Sequence, residues 1–190
     1  MEQTLFTAIQ IEPSQRMIKI KESLSKMLKN EKVKFYPANK WFLIIRHLGN
    51  IDTDFLPDIN RILGEIITNT KPFEIKLNGV FIYPFIEKPD VLWFNFEQTP
   101  ELMTLAEKIN ERLVDYGVHE EFFAFYPHIT FARIKNIRNK KLLYEIKDKY
   151  SVLENPDTYY IKDIIMFESQ KTGKTTAYRT RNRFILGQNL

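Results

Sequence analysis

The stretch from Phe125 to Ile137, FYPHITFARIKNI, places His128 and Thr130 two residues apart within an otherwise apolar run. Successive side chains of a β-strand point to opposite faces, so Ile129 and Phe131 share one face while His128 and Thr130 share the other. The pattern predicts a strand that packs its apolar face on helices and presents a histidine and a hydroxyl on the opposite face.

A second stretch, FLIIRHLGNI from Phe42 to Ile51, aligns with the first without gaps. The alignment pairs Phe42 with His128 and Ile44 with Thr130, and in both copies an amphipathic helix pattern follows the strand. The match is short and largely apolar, so chance similarity stays an alternative. If a pseudo-twofold axis relates the two strands, they line one groove with a polar wall and an apolar wall.

Regular alternation divides the side chains of the upstream strand between two faces. Three of them share the face equivalent to that of His128 and Thr130: Phe42, Ile44 and Arg46. Leu43 and Ile45 point to the core. His47 lies five residues from Phe42, an odd offset that turns it away from the groove in a regular strand. His119, in the polar segment Gly117 to Glu121, is predicted to be solvent-exposed.

Strand and helix patterns alternate along the chain. The predicted strands are Thr4 to Ile11, Trp41 to Leu48, Phe73 to Tyr83, Val91 to Phe96, Ala124 to Ile134, Tyr159 to Phe167 and Thr176 to Leu186. The predicted helices follow Pro13, span Asp52 to Ile67, follow Thr99, and lie around Leu142 to Ile146. Gln170 to Lys174 is predicted to be a hairpin loop. Strands in pairs separated by single helices predict an α+β fold with antiparallel sheets, formed by residues 1–190 as a single domain.

Composition limits the class of protein. The 190 residues can bury a sizeable core, and the absence of cysteine excludes disulfides and thiolate metal sites. We find no secretory signal or membrane-spanning run, so we expect a cytoplasmic protein, and we expect a monomer. The net charge is +4, but Arg133 to Arg183 holds thirteen Lys/Arg against six Asp/Glu. This bias indicates an anionic ligand such as a phosphate ester or an RNA end, with a solvated basic surface as the alternative.

His128 and Thr130 would lie a little under 7 Å apart along one strand face, judged by strand rise. An imidazole moves protons near neutral pH, and a hydroxyl donates to a non-bridging phosphate oxygen, so the two can act on one phosphoryl group. A structural histidine beside a strand threonine is the alternative.

Four segments occur in the order and separation that resemble the two-histidine phosphoesterase superfamily, in its RNA 2′,3′-cyclic phosphodiesterase or 2′-5′ RNA ligase-like branch. They are TLFTAIQIEP, NKWFLIIRHLGNID, YPHITFARIK and MFESQKTGKTTAYRTRNRFIL. The resemblance implies a bilobal α+β fold, with two pseudo-symmetric antiparallel sheets and outer helices around a central cleft. It also implies an H-x-T/S motif in each lobe and hydrolysis of a cyclic phosphate or phosphodiester without a metal or other cofactor.

The two motifs differ in how well they match. Pro127 to Arg133 fits the family pattern P-H-h-T-h-A-R, where h is apolar, and this assigns His128 and Thr130 as catalytic residues. Where the family has H-h-T-h-K-F-L-G, the chain has FLIIRHLG from Phe42 to Gly49. The resemblance thus implies either a phosphodiesterase impaired by the loss of one motif, or an inactive member that binds a nucleotide or RNA.

Five residues are candidates for substrate binding: Arg133, Arg46, Phe42, Ile44 and Tyr178. The arginines match phosphate geometry, although Arg133 has the wrong strand parity unless the strand bends after Ala132, and a surface salt bridge is its alternative. Phe42 offers a stacking surface and Tyr178 lines the cleft, with packing in the core or sheet as the alternative for both.

Two further patterns carry no function. Gly173-Lys174-Thr175 is not a P-loop, because Glu168 stands where that motif requires glycine and no helix follows. The three histidines lack the spacing of a zinc site, so no metal is predicted.

Overall fold

The computed structural model describes residues 2–114, 116, 118–119, 124–173 and 175–189. Within these ranges the chain forms nine strands and four α-helices. The strands are β1 (Glu2–Gln10), β2 (Lys32–Phe35), β3 (Phe42–Asp52), β4 (Phe73–Pro84), β5 (Pro89–Phe96), β6 (His128–Asn136), β7 (Thr158–Ile161), β8 (Asp163–Thr172) and β9 (Thr175–Ile185). The helices are α1 (Gln15–Met27), α2 (Leu56–Thr68), α3 (Pro100–Val114) and α4 (Lys141–Tyr150).

The strands form two antiparallel sheets. The four-stranded sheet has the order β3-β1-β8-β9, and the five-stranded sheet has the order β2-β6-β5-β4-β7. This confirms the predicted α+β fold class. Strand β2, a four-residue edge strand that pairs with β6, was not predicted from the sequence. The predicted strand from Ala124 starts too early, because β6 begins at His128, after Pro127.

The helices lie on one side of each sheet. Ser14 begins α1 with its hydroxyl accepting a hydrogen bond from the Met17 amide, and Met17, Ile20 and Leu24 are buried. The Tyr150 hydroxyl of α4 bonds Ser23 of α1 at 3.0 Å, so these helices are neighbours. Helix α4 contacts β4 of the five-stranded sheet, whereas α2 contacts β9 and α3 contacts β3 of the four-stranded sheet.

Most buried side chains belong to one continuous core that includes the helix-facing sides of both sheets. A second, smaller cluster lies on the other side of the four-stranded sheet and contains Phe6, Ala8, Phe42, Ile165 and Phe167. We use the term groove for the space bounded by the two sheet faces that point away from the helices.

Gly79 of β4 lies against the end of α4. A Cβ atom at this position would lie 2.4 Å from the carbonyl oxygens of both Tyr150 and Ser151. Only glycine lets the helix end approach the sheet this closely.

Strands β8 and β9 form a hairpin as predicted, but its turn is shorter than the predicted loop, because Gln170 and Lys171 pair with Ala177 and Thr176. Thr172 pairs with Thr175, and Gly173 occupies the turn with φ +59°. Lys174, which the prediction also included, lies outside the described residues. None of the helices in the described ranges has the length and apolarity needed to span a bilayer.

Candidate active site

A β-bulge in β3 changes which residues face the groove. The pairing with β1 shifts between Ile44 and Arg46, so Ile45 is an extra residue. Ile45 and Arg46 therefore both point to the buried side of the sheet although they are neighbours in the sequence, and Arg46 is only 2% exposed. Its guanidinium donates to the carbonyl oxygen of His119. The expectation that alternation turns Arg46 into the groove was therefore wrong.

The same bulge turns His47 to the groove face, against the expectation from regular alternation. His47 pairs with Phe6, and the two ring centroids lie 6.1 Å apart. The ring still reaches solvent, but partial desolvation, followed by the Arg46 charge, lowers the pKa of His47. His119 is exposed as predicted, while Gly117, Glu120 and Glu121 beside it lie outside the described residues.

Strand β6 has a bulge of its own. Its pairing with β5 skips Phe131, so Phe131 and Ala132 are both buried and Arg133 turns to the groove face. Regular alternation would have pointed Arg133 away from His128, and this bulge places both side chains on the same face. Its Nε lies 3.6 Å from Oδ1 of Asp90, and both side chains are more than half exposed. Water screens such a pair strongly, so it contributes little to stability.

The two bulges occur at equivalent positions of the internal repeat. In the alignment of Phe42 with His128, Ile45 falls on Phe131 and His47 falls on Arg133. A coincidence of two apolar sequences would not reproduce an irregularity of the backbone. The bulges therefore support the register of the repeat, and with it the placement of Phe42 and Ile44 on the groove face.

His128 is held by a ring and a carbonyl group. Its imidazole stacks on Trp93 with centroids 3.8 Å apart and an interplanar angle of 24°. Its Nδ1 lies 2.7 Å from the Tyr126 carbonyl oxygen. A carbonyl only accepts hydrogen bonds, so Nδ1 carries a hydrogen and Nε2 holds the lone pair of the neutral ring.

Burial lowers the pKa of His128, and the nearby charge of His47 lowers it further, while the hydrogen bond to Tyr126 opposes both effects. The two imidazoles are thus close enough to interact electrostatically. Since both pKa values are lowered, the groove favours neutral histidines near pH 7.

Two residues beside His128 and Thr130 were not singled out from the sequence. Trp93 pairs with Thr130, and Asn95 pairs with His128, on the groove face of β5. The Oδ1 atom of Asn95 is buried and has no hydrogen-bond partner among the described residues. The alternation of Leu92, Phe94 and Phe96 toward the core would have indicated that Trp93 and Asn95 face the other way.

The opposite wall of the groove is aromatic. The Phe42 ring lies 4.8 Å from Phe167, 5.1 Å from Tyr178 and 5.8 Å from Phe6, measured between centroids. Phe42 is 9% exposed and packs outside the main core, with Ile44 against the same cluster. Tyr178 is 39% exposed, and burial, with a smaller effect of Tyr36, raises the pKa of its hydroxyl. In the described ranges no three His, Asp or Glu side chains are grouped to hold a metal ion.

Comparisons with known proteins agree with this architecture. A model of the 2′-5′ RNA ligase superfamily matches residues 33–154. The chain therefore belongs to the 2′-5′ RNA ligase superfamily. It is 28% identical over 147 residues to an RNA 2′,3′-cyclic phosphodiesterase of Aquifex aeolicus, covering 76% of this chain and 77% of that protein. It is 27% identical over 175 residues to an RNA 2′,3′-cyclic phosphodiesterase of Archaeoglobus fulgidus, covering 92% and 96%.

Solved structures show the same fold. The protein TT0787 of Thermus thermophilus superposes with a TM-score of 0.79 at 20% identity, covering 98% of this chain and 100% of that one. LigT of E. coli, complexed with 3′-AMP, superposes with a TM-score of 0.71 at 20% identity, covering 99% and 100%.

Proposed function

We propose that the chain hydrolyses 2′,3′-cyclic phosphates at RNA ends or in small cyclic nucleotides, by acid/base chemistry that needs no metal. The names of the relatives support this proposal at the level of the family. The observation that carries it is the placement of His128 and Thr130 on the groove face of β6, which gives a proton carrier and a hydroxyl donor one common target.

In this reaction a water oxygen attacks phosphorus, and one of the two phosphorus–oxygen bonds to the ribose breaks. We assign His128 as the base, because Nδ1 is occupied by Tyr126 and Nε2 of the neutral ring can accept the proton of the water. The Thr130 hydroxyl donates to a non-bridging oxygen. The Asn95 side chain, opposite His128, is suited to hold the same phosphate or the adjoining ribose.

The leaving ribose oxygen requires a proton, and Phe42 and Ile44 have none to give. We propose His47 as the donor, since the bulge turns it to the groove near His128.

The proposed roles require the two histidines to be in different protonation states, because a base must be neutral and an acid must be protonated. Because the pKa values of both histidines are lowered, only a small fraction of molecules has His47 protonated at pH 7. The rate should therefore be greatest below pH 6.5, the ordinary histidine value.

The alternative function is a binding module without catalysis. The packing of Phe42 against Phe167 and Tyr178 favours it, because these rings occupy the wall where a second catalytic pair would be needed. Loss of one acid or base costs roughly 10² to 10⁴ in rate. The protein is thus a slow enzyme if His47 or water supplies the proton of the missing second histidine, and a binding protein if neither does.

One assay separates these functions: hydrolysis of an oligonucleotide with a 2′,3′-cyclic phosphate by wild type, His128→Ala, His47→Gln and the exposed-site control His119→Gln. We expect His128→Ala to abolish measurable turnover, His47→Gln to reduce it, and His119→Gln to retain it. Turnover that survives in His128→Ala would contradict the proposal. A wild type without turnover that binds the oligonucleotide tightly, and more weakly as salt rises, would establish the binding module instead.

A further inference from the structure

The groove face of the five-stranded sheet carries a row of stacked rings that begins at His128. Trp93 stacks on His128, and Tyr83 of β4 stacks on Trp93 with centroids 4.2 Å apart and an interplanar angle of 17°. Phe81 follows at 6.5 Å from Trp93. We call Phe81, Tyr83 and Trp93 the aromatic row. It extends across two strand spacings, roughly 10 Å, from the candidate catalytic histidine.

The aromatic row is open to solvent. Phe81 is 45% exposed and Tyr83 is 43% exposed, although their neighbours Val80 and Ile82 are buried in the core. Large apolar side chains grouped on a surface indicate a binding site, because their exposure to water is unfavourable. The opposite wall differs, since its Phe6 and Phe167 are each only 4% exposed. The five-stranded sheet therefore offers two large exposed rings, Phe81 and Tyr83, next to Trp93, whereas the opposite wall exposes Tyr178 at 39% beside its buried phenylalanines.

Positive charge lies in the same cross-strand row as Tyr83, because Val91 of β5 pairs with Tyr83 on one side and with Arg133 on the other. Arg133 pairs across the strands with Lys34 of β2, so two cations adjoin each other on this sheet. Val33 and Phe35 pack on the core, which leaves Lys34 on the groove side. Stacking rings beside a cationic track are the two elements by which proteins bind single-stranded nucleic acid.

We propose that the aromatic row and the Lys34–Arg133 pair bind the single-stranded RNA next to the terminal cyclic phosphate, so that the preferred substrate is an oligonucleotide rather than a cyclic mononucleotide. This rests on the proposed function, because it assumes that the terminal phosphate lies at His128. The bases upstream of the terminus stack along Tyr83 and Phe81, while phosphates approach Arg133 and Lys34. Stacking accepts any base, so the site selects chain length more than sequence.

The test compares a nucleoside 2′,3′-cyclic phosphate with a trinucleotide that has the same cyclic end. Each stacked base adds a factor of about 5 to 150 in affinity. The KM of the trinucleotide should therefore be lower than that of the cyclic mononucleotide by a factor of about 5 or more. In Tyr83→Ala and in Phe81→Ala the ratio of the two KM values should move toward one, because each variant loses one stacking ring. Tyr144→Ala, a control at a 48% exposed tyrosine on α4, should keep the wild-type ratio. Equal KM values in the wild type, or a wild-type ratio in both row variants, would overturn the inference.

A direct binding measurement separates this inference from the proposed function. Fluorescence anisotropy of a labelled single-stranded trinucleotide with a 3′-phosphate requires no catalysis. If neither cyclic substrate is hydrolysed, the proposed function fails, yet weaker binding by Tyr83→Ala than by Tyr144→Ala still supports the aromatic row. Equal affinity in these two variants would overturn it. Thermal melting of each variant checks that the exposed substitutions leave the fold intact.

Discussion

His47 and Arg133 occupy equivalent positions in the two lobes, each being the first groove-facing residue after a β-bulge. The symmetry of the backbone thus places an imidazole and a guanidinium on opposite walls of one groove. The first is suited to moving a proton, and the second to binding phosphate oxygens.

Arg133 should contribute to RNA affinity through charge. Its partner Asp90 is 54% exposed, so the ion pair is weak and a phosphate can replace the carboxylate. We expect Arg133→Met to weaken oligonucleotide binding. The slope of log K against log salt concentration should become shallower by about one unit, the amount that corresponds to one lost phosphate contact. Arg133→Lys should retain most of that slope. Arg112→Met, which removes a cation paired with Glu65 on the outer helices, is the control. An unchanged slope in Arg133→Met would exclude a phosphate contact.

Trp93 should determine the proton affinity of His128. Burial is the largest cause of the lowered pKa of His128, and the Trp93 ring covers one face of the imidazole. Trp93→Ala should therefore raise the pKa of His128 toward 6.5, as followed by NMR titration of the imidazole protons. Trp93→Phe keeps a ring and should raise it less. A pKa that does not move in Trp93→Ala would show that other groups desolvate the histidine.

Stability should depend on pH through the two groove histidines. Their folded pKa values are lowered, so the unfolded chain binds more protons between the folded values and about 6.5. The free energy of unfolding should then fall as pH drops below 6.5 and be fully present above it. Urea unfolding at pH 5 and pH 7.5 measures the difference. It should be smaller in the double variant His47→Gln/His128→Gln, and an equal difference in that variant would contradict the expectation.

The apolar wall can be tested by restoring the missing motif. In Phe42→His/Ile44→Thr, the new pair is aligned with His128 and Thr130, and we expect turnover of the cyclic phosphate to rise roughly 10²-fold. Phe42 packs against Phe167 and Tyr178, so the same change should cost roughly 2 kcal/mol or more in unfolding free energy. Phe42→Leu/Ile44→Val loosens the packing without adding a proton carrier and should not gain activity. A folded double variant that is no faster than the wild type would show that the wall lies away from the phosphate.

Two glycines should respond oppositely to alanine. A methyl group on Gly79 would contact the Tyr150 and Ser151 carbonyl oxygens at 2.4 Å, so Gly79→Ala should destabilise the protein by about 1 to 3 kcal/mol or more. At Gly64, inside α2, a methyl group meets no atom within 4 Å, and Gly64→Ala should stabilise by about 0.5 to 1 kcal/mol. Urea unfolding measures both. An unchanged free energy of unfolding in Gly79→Ala would mean that the end of α4 can shift away from β4 without destabilising the protein.

The sequence predicted the parts of the fold that follow from regular periodicity. Ile129 and Phe131 are buried, and Leu43 and Ile45 are core-directed, as strand alternation requires. The helical pattern around Leu142 to Ile146 corresponds to α4. These predictions succeed because hydrophobic burial fixes the register of each element.

The errors arise where the backbone is irregular. Alternation placed Arg46 in the groove and His47 outside it, whereas a single extra residue at Ile45 reverses both. The bulge arises in the pairing of β3 with β1, and no residue type in FLIIRHLG requires it. The sequence of this strand alone therefore does not reveal it. Trp93 and Asn95 were overlooked for a related reason: their role depends on lying beside β6, which only the strand order of the sheet reveals.

The aromatic cluster around Phe42 gives the two walls of the groove different tolerance to mutation. Phe6, Phe42 and Phe167 are almost completely buried and contribute to folding, so most substitutions among them would lower the amount of folded protein in a cell. Tyr83 and Phe81 are exposed, so we expect their replacement to leave the fold intact and to act on ligand binding. Sequence drift can therefore alter the exposed rings of the five-stranded sheet at a lower cost in stability than the three buried phenylalanines of the opposite wall.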